Sequence, residues 1–506
     1  MTNSIRDDCW ASHEENLDPD DWGAMRALGH RMVDDMVDYL MTLRDRAPWQ
    51  HAPDQVKAHF AGSIPQHPQP PEEVYEEFLT YVLPYPIGNI HPRFWGWIFG
   101  TGTVFGAFAE LLAGTMNSSA GDLDHHSANY VEKQVIDWLK ELLGYPATAS
   151  GLLTSGCSAA NVIGLAVARN ANAKYDVRSN GVNAGNGRMT LYASQEIHSS
   201  VQKAVELLGL GSRALRRVPV DEGFRIDLEA LRATIAEDRR NGDLPFCVVG
   251  AAGTTNTGAV DDLNALADIC AAEGLWLHVD GAFGAWAAIT PGTRELVAGL
   301  ERADSLALDL HKWMYMPHEN GCILVAHERE HHNTFALTPD YLARSGSGRG
   351  LTGGDLPWLT DYGYQLSRRF RALKTWMSIK EHGALKYGRL IQQNIDQARY
   401  LALLIERADE LELVAPVTLN IVCFRYIDSE MGDADLDVIN RQIVEELQEQ
   451  GLAVLSGTRV RGKFVMHVGN TNHRSRRDDF DFLVREVIRL GNARARSATG
   501  GKLETG

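Results

Sequence analysis

Apolar and polar positions change their pattern several times along the chain. Near the start, Met25, Leu28, Met32, Met36, Tyr39 and Leu40 recur at helical spacing behind Asp20 and Asp21 as capping candidates, which predicts an amphipathic helix. Its apolar face needs cover, either from the main body of the chain or from a second subunit. Pro65, Pro68, Pro70 and Pro71 follow as a connector. From about residue 130 two periods alternate. Residues 130–143, 158–170, 198–208 and 263–272 read as helices, and the short apolar runs 189–193, 246–251, 275–279, 305–310 and 322–326 read as buried strands. Such alternation predicts an α/β fold, a mostly parallel central sheet with helices on both faces. Residues 333–361 then lose periodicity and gain five glycines, the mark of a functional or disordered loop. Residues 367–382 read as a strong helix. From about 394 to 490 a helix, two strands and another helix predict a smaller α+β unit. The expected division is an N-terminal helical segment (1–105), a large α/β domain (106–385), a small C-terminal domain (386–492) and a flexible tail (493–506).

Composition narrows the function. The chain of 506 residues is 44% hydrophobic and 23% charged, which suits a globular protein and excludes wholesale disorder. Its net charge of −17 argues against polyanionic partners, whether nucleic acid or anionic membrane. Six scattered cysteines with no CxxC pair argue against a disulfide scaffold or a zinc ribbon, so no metal is expected and a reducing compartment is. The acidic N-terminus does not read as a signal peptide. Residues 94–116 are apolar but hold Glu110 and five glycines, short of the about 20 uninterrupted apolar residues of a membrane span. A cytoplasmic enzyme is the expectation.

Candidate chemistry lies where the apolar runs end. Lys312 follows one run, in a position where burial would lower its pKa and make it a nucleophile. Asp280 ends another and could cap a helix or hold a proton on a ring nitrogen. The turn through Gly156, Cys157 and Ser158 opens a helix and could hold one phosphate, without the spacing of a nucleotide loop. His198 precedes a helix, and Thr255 sits in a polar turn after a buried strand. In this order, five such elements on one sheet edge describe a site for pyridoxal phosphate: phosphate at residues 156–158, His198 on the ring, Asp280 at the ring nitrogen and Lys312 as the imine-forming amine.

The motifs resemble those of the group II pyridoxal-phosphate decarboxylases, which act on aromatic amino acids, histidine and glutamate. The resemblance runs through residues 26–34, 91–95, 154–161, 196–201, 253–255, 278–280, 311–313 and 367–376. It implies a fold-type I homodimer with its active site at the interface, N-terminal helices wrapped around the partner, and an L-amino acid as substrate. It implies that Lys312 holds the cofactor, Asp280 pairs with the pyridinium, His198 stacks on the ring and Thr255 lies beside it. Gly156, Cys157, Ser158 and His311 fall where the family contacts phosphate. Tyr341, in Pro339-Asp340-Tyr341-Leu342, matches the loop tyrosine that protonates the substrate carbon. Because His198 and Tyr341 are both kept, decarboxylation to the amine is favoured over an aldehyde synthase, with an aminotransferase further off. Three positions depart from the pattern. Asp309 stands where Asn is frequent near the phosphate, His467 stands where Arg is usual, and Trp97, Phe99 and Thr101 answer only in part to the family's aromatic-substrate motif.

Overall fold

The computed structural model describes residues 16–121, 125–337, 349–353 and 357–503, with side chains to residue 497. The chain divides into two compact units, Met1–Arg46 with His51–Pro86, and Ala47–Gln50 with Ile87–Gly506. In the first, the expected amphipathic helix runs Trp22–Met41. Asp21 caps it, its carboxylate accepting from the N–H groups of Gly23 and Ala24 at 2.7 and 3.0 Å. The Tyr75 hydroxyl, on helix Pro71–Glu77, donates to Asp35 at 2.9 Å.

The second unit holds two sheets. The larger contains β1 (Ser150–Thr154), β2 (Met189–Ser194), β3 (Leu215–Val218), β4 (Leu244–Ala251), β5 (Trp276–Asp280), β6 (Ser305–Asp309) and β7 (Gly321–Val325), in the order β1-β7-β6-β5-β4-β2-β3. All neighbours pair in parallel except those of β7, which is antiparallel to both β1 and β6. The central strands are buried along their lengths, which is why they read as unbroken apolar runs. The smaller sheet is antiparallel, β10-β11-β9-β8, from β8 (Leu411–Leu413), β9 (Ile421–Tyr426), β10 (Ser456–Val460) and β11 (Lys463–Gly469).

Several details depart from the sequence reading, which found five of the seven large-sheet strands and passed over the short β1 and β3. The small unit has four strands rather than two, because β8 has only three residues and β10 (Ser-Gly-Thr-Arg-Val) carries little apolar signal. β10 and β11 form a hairpin through Arg461 and Gly462, both at positive φ (50° and 82°), the backbone twist a two-residue turn needs. The helix expected over 367–382 begins only at Ala372. Residues ahead of it leave helical geometry, and Arg368 there donates to the carbonyls of Ala120 and Leu153 at 3.1 and 2.8 Å. No described helix is long and apolar enough to cross a membrane; residues 94–116 form a turn and then helix Val104–Met116, capped by Thr103.

Histidines buried among these elements set an acid limit on stability. His331 bridges Ser150 and the Tyr362 carbonyl, both at 2.8 Å, and burial pushes its pKa down to about 3. His278 and His467 are likewise pushed down by burial to about 4. Each folded value lies below the about 6.5 of an unfolded histidine. The unfolded chain therefore binds more protons between those values, and stability is complete above about pH 6.5 and lost as pH falls toward 4. The expected result is a melting temperature that drops steadily over that interval, with proton uptake on unfolding. A melting temperature flat from pH 7 to 4.5 would contradict it.

Candidate active site

Strand register gathers the candidate residues on one edge of the large sheet. Ala251 pairs with Asp280, Asp280 with Ala307, and both Asp309 and Thr154 pair with Gly321. The turns after β1, β4, β5 and β6 therefore open together at the carboxyl ends of parallel strands, where such sheets bind ligands. Gly321 is required there: a Cβ on it would lie 2.5 Å from the Gly156 Cα. That close approach seats the turn at 155–157 over β7.

The turn leads into helix Cys157–Asn172, whose first N–H meets a carboxylate. Cys157 N–H donates to Asp309 Oδ1 at 2.6 Å. Asp309 is buried at the end of β6, and its other oxygen lies 3.1 Å from Lys312 Nζ. His311 Nε2 is 3.7 Å from Oδ1. Gly156 faces the same group, since a Cβ there would lie 3.3 Å from the His311 ring and 3.4 Å from Asp309. Ser158, the second helical residue, is exposed. The helix end thus already holds an anion, as its dipole and free N–H groups favour.

This arrangement changes the reading of Lys312. Burial alone would lower its pKa, as the sequence suggested. The carboxylates of Asp309 and Asp280 outweigh burial and raise it instead. The amine is therefore held charged, paired to Asp309.

Asp280 is buried beside it. It accepts from the Asn161 amide at 3.1 Å, from the Cys157 thiol at 3.4 Å and from the Ala282 N–H at 3.2 Å. Burial pushes the Cys157 thiol well up, and the two carboxylates push further, so it stays a neutral donor. His198 caps helix Ser199–Leu207 through Nδ1, which accepts the Ser200 N–H at 3.2 Å. Burial lowers its pKa and the Lys312 charge adds to that, against the upward pull of the Asp280 and Asp309 carboxylates. Thr255 sits in the turn after β4, and its carbonyl accepts from His467 Nε2 at 2.9 Å. His467, conspicuous in sequence for not being arginine, links that turn to Ser456 in the small sheet.

The segment holding Trp97, Phe99 and Thr101 reaches the Lys312 turn directly. A Cβ on Gly100 would lie 1.9 Å from the His311 carbonyl oxygen and 2.4 Å from that of Lys312, so only glycine fits. Trp97 is 52% exposed, at φ 55°. Phe99 stands edge-on to Trp97 and to His318, with ring centroids 6.5 and 5.9 Å away. Thr101 is buried, and its hydroxyl has no hydrogen-bond partner among the described residues. Tyr341 lies outside the described residues.

The donor set suits pyridoxal phosphate: an amine, a buried carboxylate two strands' width from a histidine-capped helix, and a helix N-terminus that takes an anion. Asp309 is the departure, because its negative charge occupies the helix end where phosphate would sit. Asp309→Asn should therefore tighten cofactor binding by about tenfold, the worth of about 1.4 kcal/mol of relieved repulsion. It should also speed loading at neutral pH, because Lys312 loses the partner that keeps it charged. Equilibrium dialysis of the cofactor-free protein measures the first effect; an unchanged or weakened affinity would show that Asp309 aids the phosphate site.

His318 escaped the sequence reading. Its ring stacks obliquely 4.3 Å from His311, and burial pushes its pKa down to about 4. No periodicity marks it. Asn161 and His278 lie within the 154–161 and 278–280 motifs, where the sequence assigned them no role, yet both are fully buried beside Asp280.

Known proteins share this arrangement of chain. The sequence is 35% identical to an aromatic-L-amino-acid decarboxylase of Bacillus atrophaeus, over 92% of this chain and 95% of that protein. It is 29% identical to a phenylacetaldehyde synthase of Arabidopsis thaliana, over 89% and 92%. A crystal structure of Oryza sativa TDC with PLP and tryptamine matches with a TM-score of 0.87 and 26% identity, covering 94% of this chain and 99% of that one. The pyridoxal-dependent decarboxylase conserved domain matches residues 53–427. Since that match spans most of the chain, including every strand of the large sheet, the protein belongs to the pyridoxal-dependent decarboxylases, enzymes that use pyridoxal phosphate to remove CO2 from an amino acid.

Proposed function

We propose that the substrate is an aromatic L-amino acid, converted to its amine and CO2 by a cytoplasmic homodimer. The observation that carries this reading is the contact of Gly100 with the His311 and Lys312 carbonyls, which brings the segment bearing Phe99 and Trp97 against the Lys312 turn. Aromatic side chains packed edge to face offer an aryl group a matching wall. Thr101, with its unpartnered buried hydroxyl, completes the assigned substrate residues.

When bound, pyridoxal phosphate supplies an electron sink for the pair released as the Cα–carboxylate bond breaks. Lys312 Nζ is assigned as the tethering amine. Asp280 holds a proton at the ring nitrogen, and its fixed hydrogen bonds are charge stabilisation set in advance. His198 would lie against the ring face, with Thr255 beside it. Gly156, Cys157, Ser158 and His311 would hold the phosphate. Tyr341 returns a proton to Cα.

A second copy of the chain accounts for exposed apolar faces. Phe105, Leu111, Leu112 and Met116 are exposed along helix Val104–Met116, and Trp22, Met25, Met32 and Met41 along Trp22–Met41. The proposed organisation keeps 1–105 as the dimerising segment, with cofactor-binding (106–385) and small (386–492) domains; in place of the expected tail over 493–506, helix Arg477–Leu503 runs on through residue 503. The five described cysteines are free thiols, consistent with a reducing compartment.

The test is an amino-acid panel assayed together for amine, CO2 and peroxide. Aromatic substrates should lead in kcat/KM, with one amine per CO2 and no peroxide. Aldehyde, ammonia and peroxide in equal amounts would assign an aldehyde synthase instead. Preference for acidic or aliphatic substrates would overturn the aromatic assignment.

A further inference from the structure

Behind Asp280 and His198 lies a chain of buried polar groups. Trp276 Nε1 donates to Ser305 Oγ at 2.8 Å. Ser305 Oγ lies 2.7 Å from His278 Nδ1, and His278 Nε2 lies 2.9 Å from Asn161 Oδ1. Asn161 Nδ2 then reaches two oxygens, Ser200 Oγ at 2.9 Å and Asp280 Oδ2 at 3.1 Å. Ser200 Oγ lies 2.8 Å from His198 Nδ1. All of Trp276, Ser305, His278, Asn161 and Ser200 are buried.

The chemistry of each group allows one direction of donation. An indole N–H only donates, and a carboxylate only accepts. Asp280 therefore fixes the Asn161 amide with its NH2 toward Ser200 and Asp280, since the flipped amide would set oxygen against carboxylate. Asn161 Oδ1, an acceptor, requires the proton on His278 Nε2. His278 Nδ1 must then accept from the Ser305 hydroxyl, which accepts from Trp276. On the other branch, Ser200 accepts from Asn161 and gives its hydroxyl proton to His198 Nδ1, which also accepts the Ser200 N–H. His198 is left with its proton on Nε2. Gly164 makes room for the arrangement: a Cβ on it would lie 2.6 Å from the His278 ring.

We propose that Asn161 is the positioning residue of the active site, wired through His278 and Ser305 to Trp276, and that its two amide protons hold Asp280 and the His198 tautomer in register. This rests on the assignment of Asp280 and His198 to the cofactor ring. A polar array buried this deeply is costly unless every member is satisfied, and here each branch point is. Burial keeps His278 neutral, as the directionality needs. The array gives Asp280 a fixed orientation toward the ring nitrogen, and gives His198 an Nε2–H donor on its free side.

Asn161→Asp tests this with little change in shape. It keeps the oxygen facing His278 and replaces both donated protons with an acceptor. The expected result is a cofactor dissociation constant at least about tenfold weaker, with a changed visible circular dichroism of the bound cofactor and a lower kcat. Ser305→Ala, at the far end, should move the same readouts in the same direction by a few-fold, and it serves alone if Asn161→Asp does not fold. Melting temperature is recorded for both, because a packing role alone would lower it and leave the dichroism unchanged. Wild-type affinity and dichroism in a folded Asn161→Asp protein, or in Ser305→Ala where only that variant folds, would overturn the proposal. A wild-type protein without visible cofactor dichroism would instead overturn the assignment of Asp280 and His198 on which it rests.

Discussion

Lys312→Ala is expected to remove the visible absorption of the cofactor-bound enzyme and to lower kcat by at least about a thousandfold. Two effects combine. The variant loses the amine placed to tether the cofactor. It also leaves the Asp309 carboxylate buried with the Cys157 N–H as its remaining close donor, so a second anion at the helix end becomes harder to accommodate. The fold should survive, because Asp309 keeps that hydrogen bond and Lys312, part-exposed within the helical turn Leu310–Trp313, is not among the core residues Leu310 and Trp313 that hold the turn down. The measurement is a visible spectrum of purified protein with added cofactor, beside single-turnover assays. A normal band with normal turnover would move the tether to another amine. If the band is lost but the melting temperature of the cofactor-free protein is unchanged, the loss belongs to chemistry rather than folding.

The site was legible where a local pattern marked it. Lys312 and Asp280 end apolar runs, and those runs became adjacent parallel strands, so both side chains reached the same edge. His198 was legible through its helix cap. What local pattern cannot supply is a partner brought from far along the chain. The raised pKa of Lys312 depends on Asp309, three residues earlier and visible in the sequence, but its pairing follows from how the strand end turns. The contact of Gly100 with the His311 and Lys312 carbonyls joins segments over two hundred residues apart, and only its glycine hints at it. His318 joins the aromatic line by tertiary packing alone. The hairpin of β10 and β11 was missed for a different reason: its first strand pairs by backbone and carries mainly small and polar side chains.

Glu132→Ala is expected to cost about 3–5 kcal/mol of stability. Glu132 is fully buried in helix Ser127–Leu143 and pairs with the buried Arg368. Its Oε1 also accepts from the Leu153 N–H at 3.1 Å, while Arg368 donates to the carbonyls of Ala120 and Leu153. The pair therefore fastens three segments around β1, one residue before the strand end that leads to the turn at 155–157. It is an imperfect pair, since Glu132 Oε2 and Arg368 Nε have no hydrogen-bond partner among the described residues. Its net contribution is accordingly small, and the loss on removing Glu132 comes from stranding the Arg368 charge in the core. The comparison is Asp433→Ala, which removes an exposed carboxylate and leaves Arg425 paired to Glu412 at 2.9 Å, and should change stability far less. Denaturant unfolding of the two variants measures the difference. Replacing both buried partners, Glu132→Leu with Arg368→Met, should recover much of the loss, because no charge is then left unpaired. Equal midpoints for Glu132→Ala and Asp433→Ala would mean that water reaches Arg368 when its partner is removed, and that this corner of the large domain opens more readily than its packing implies.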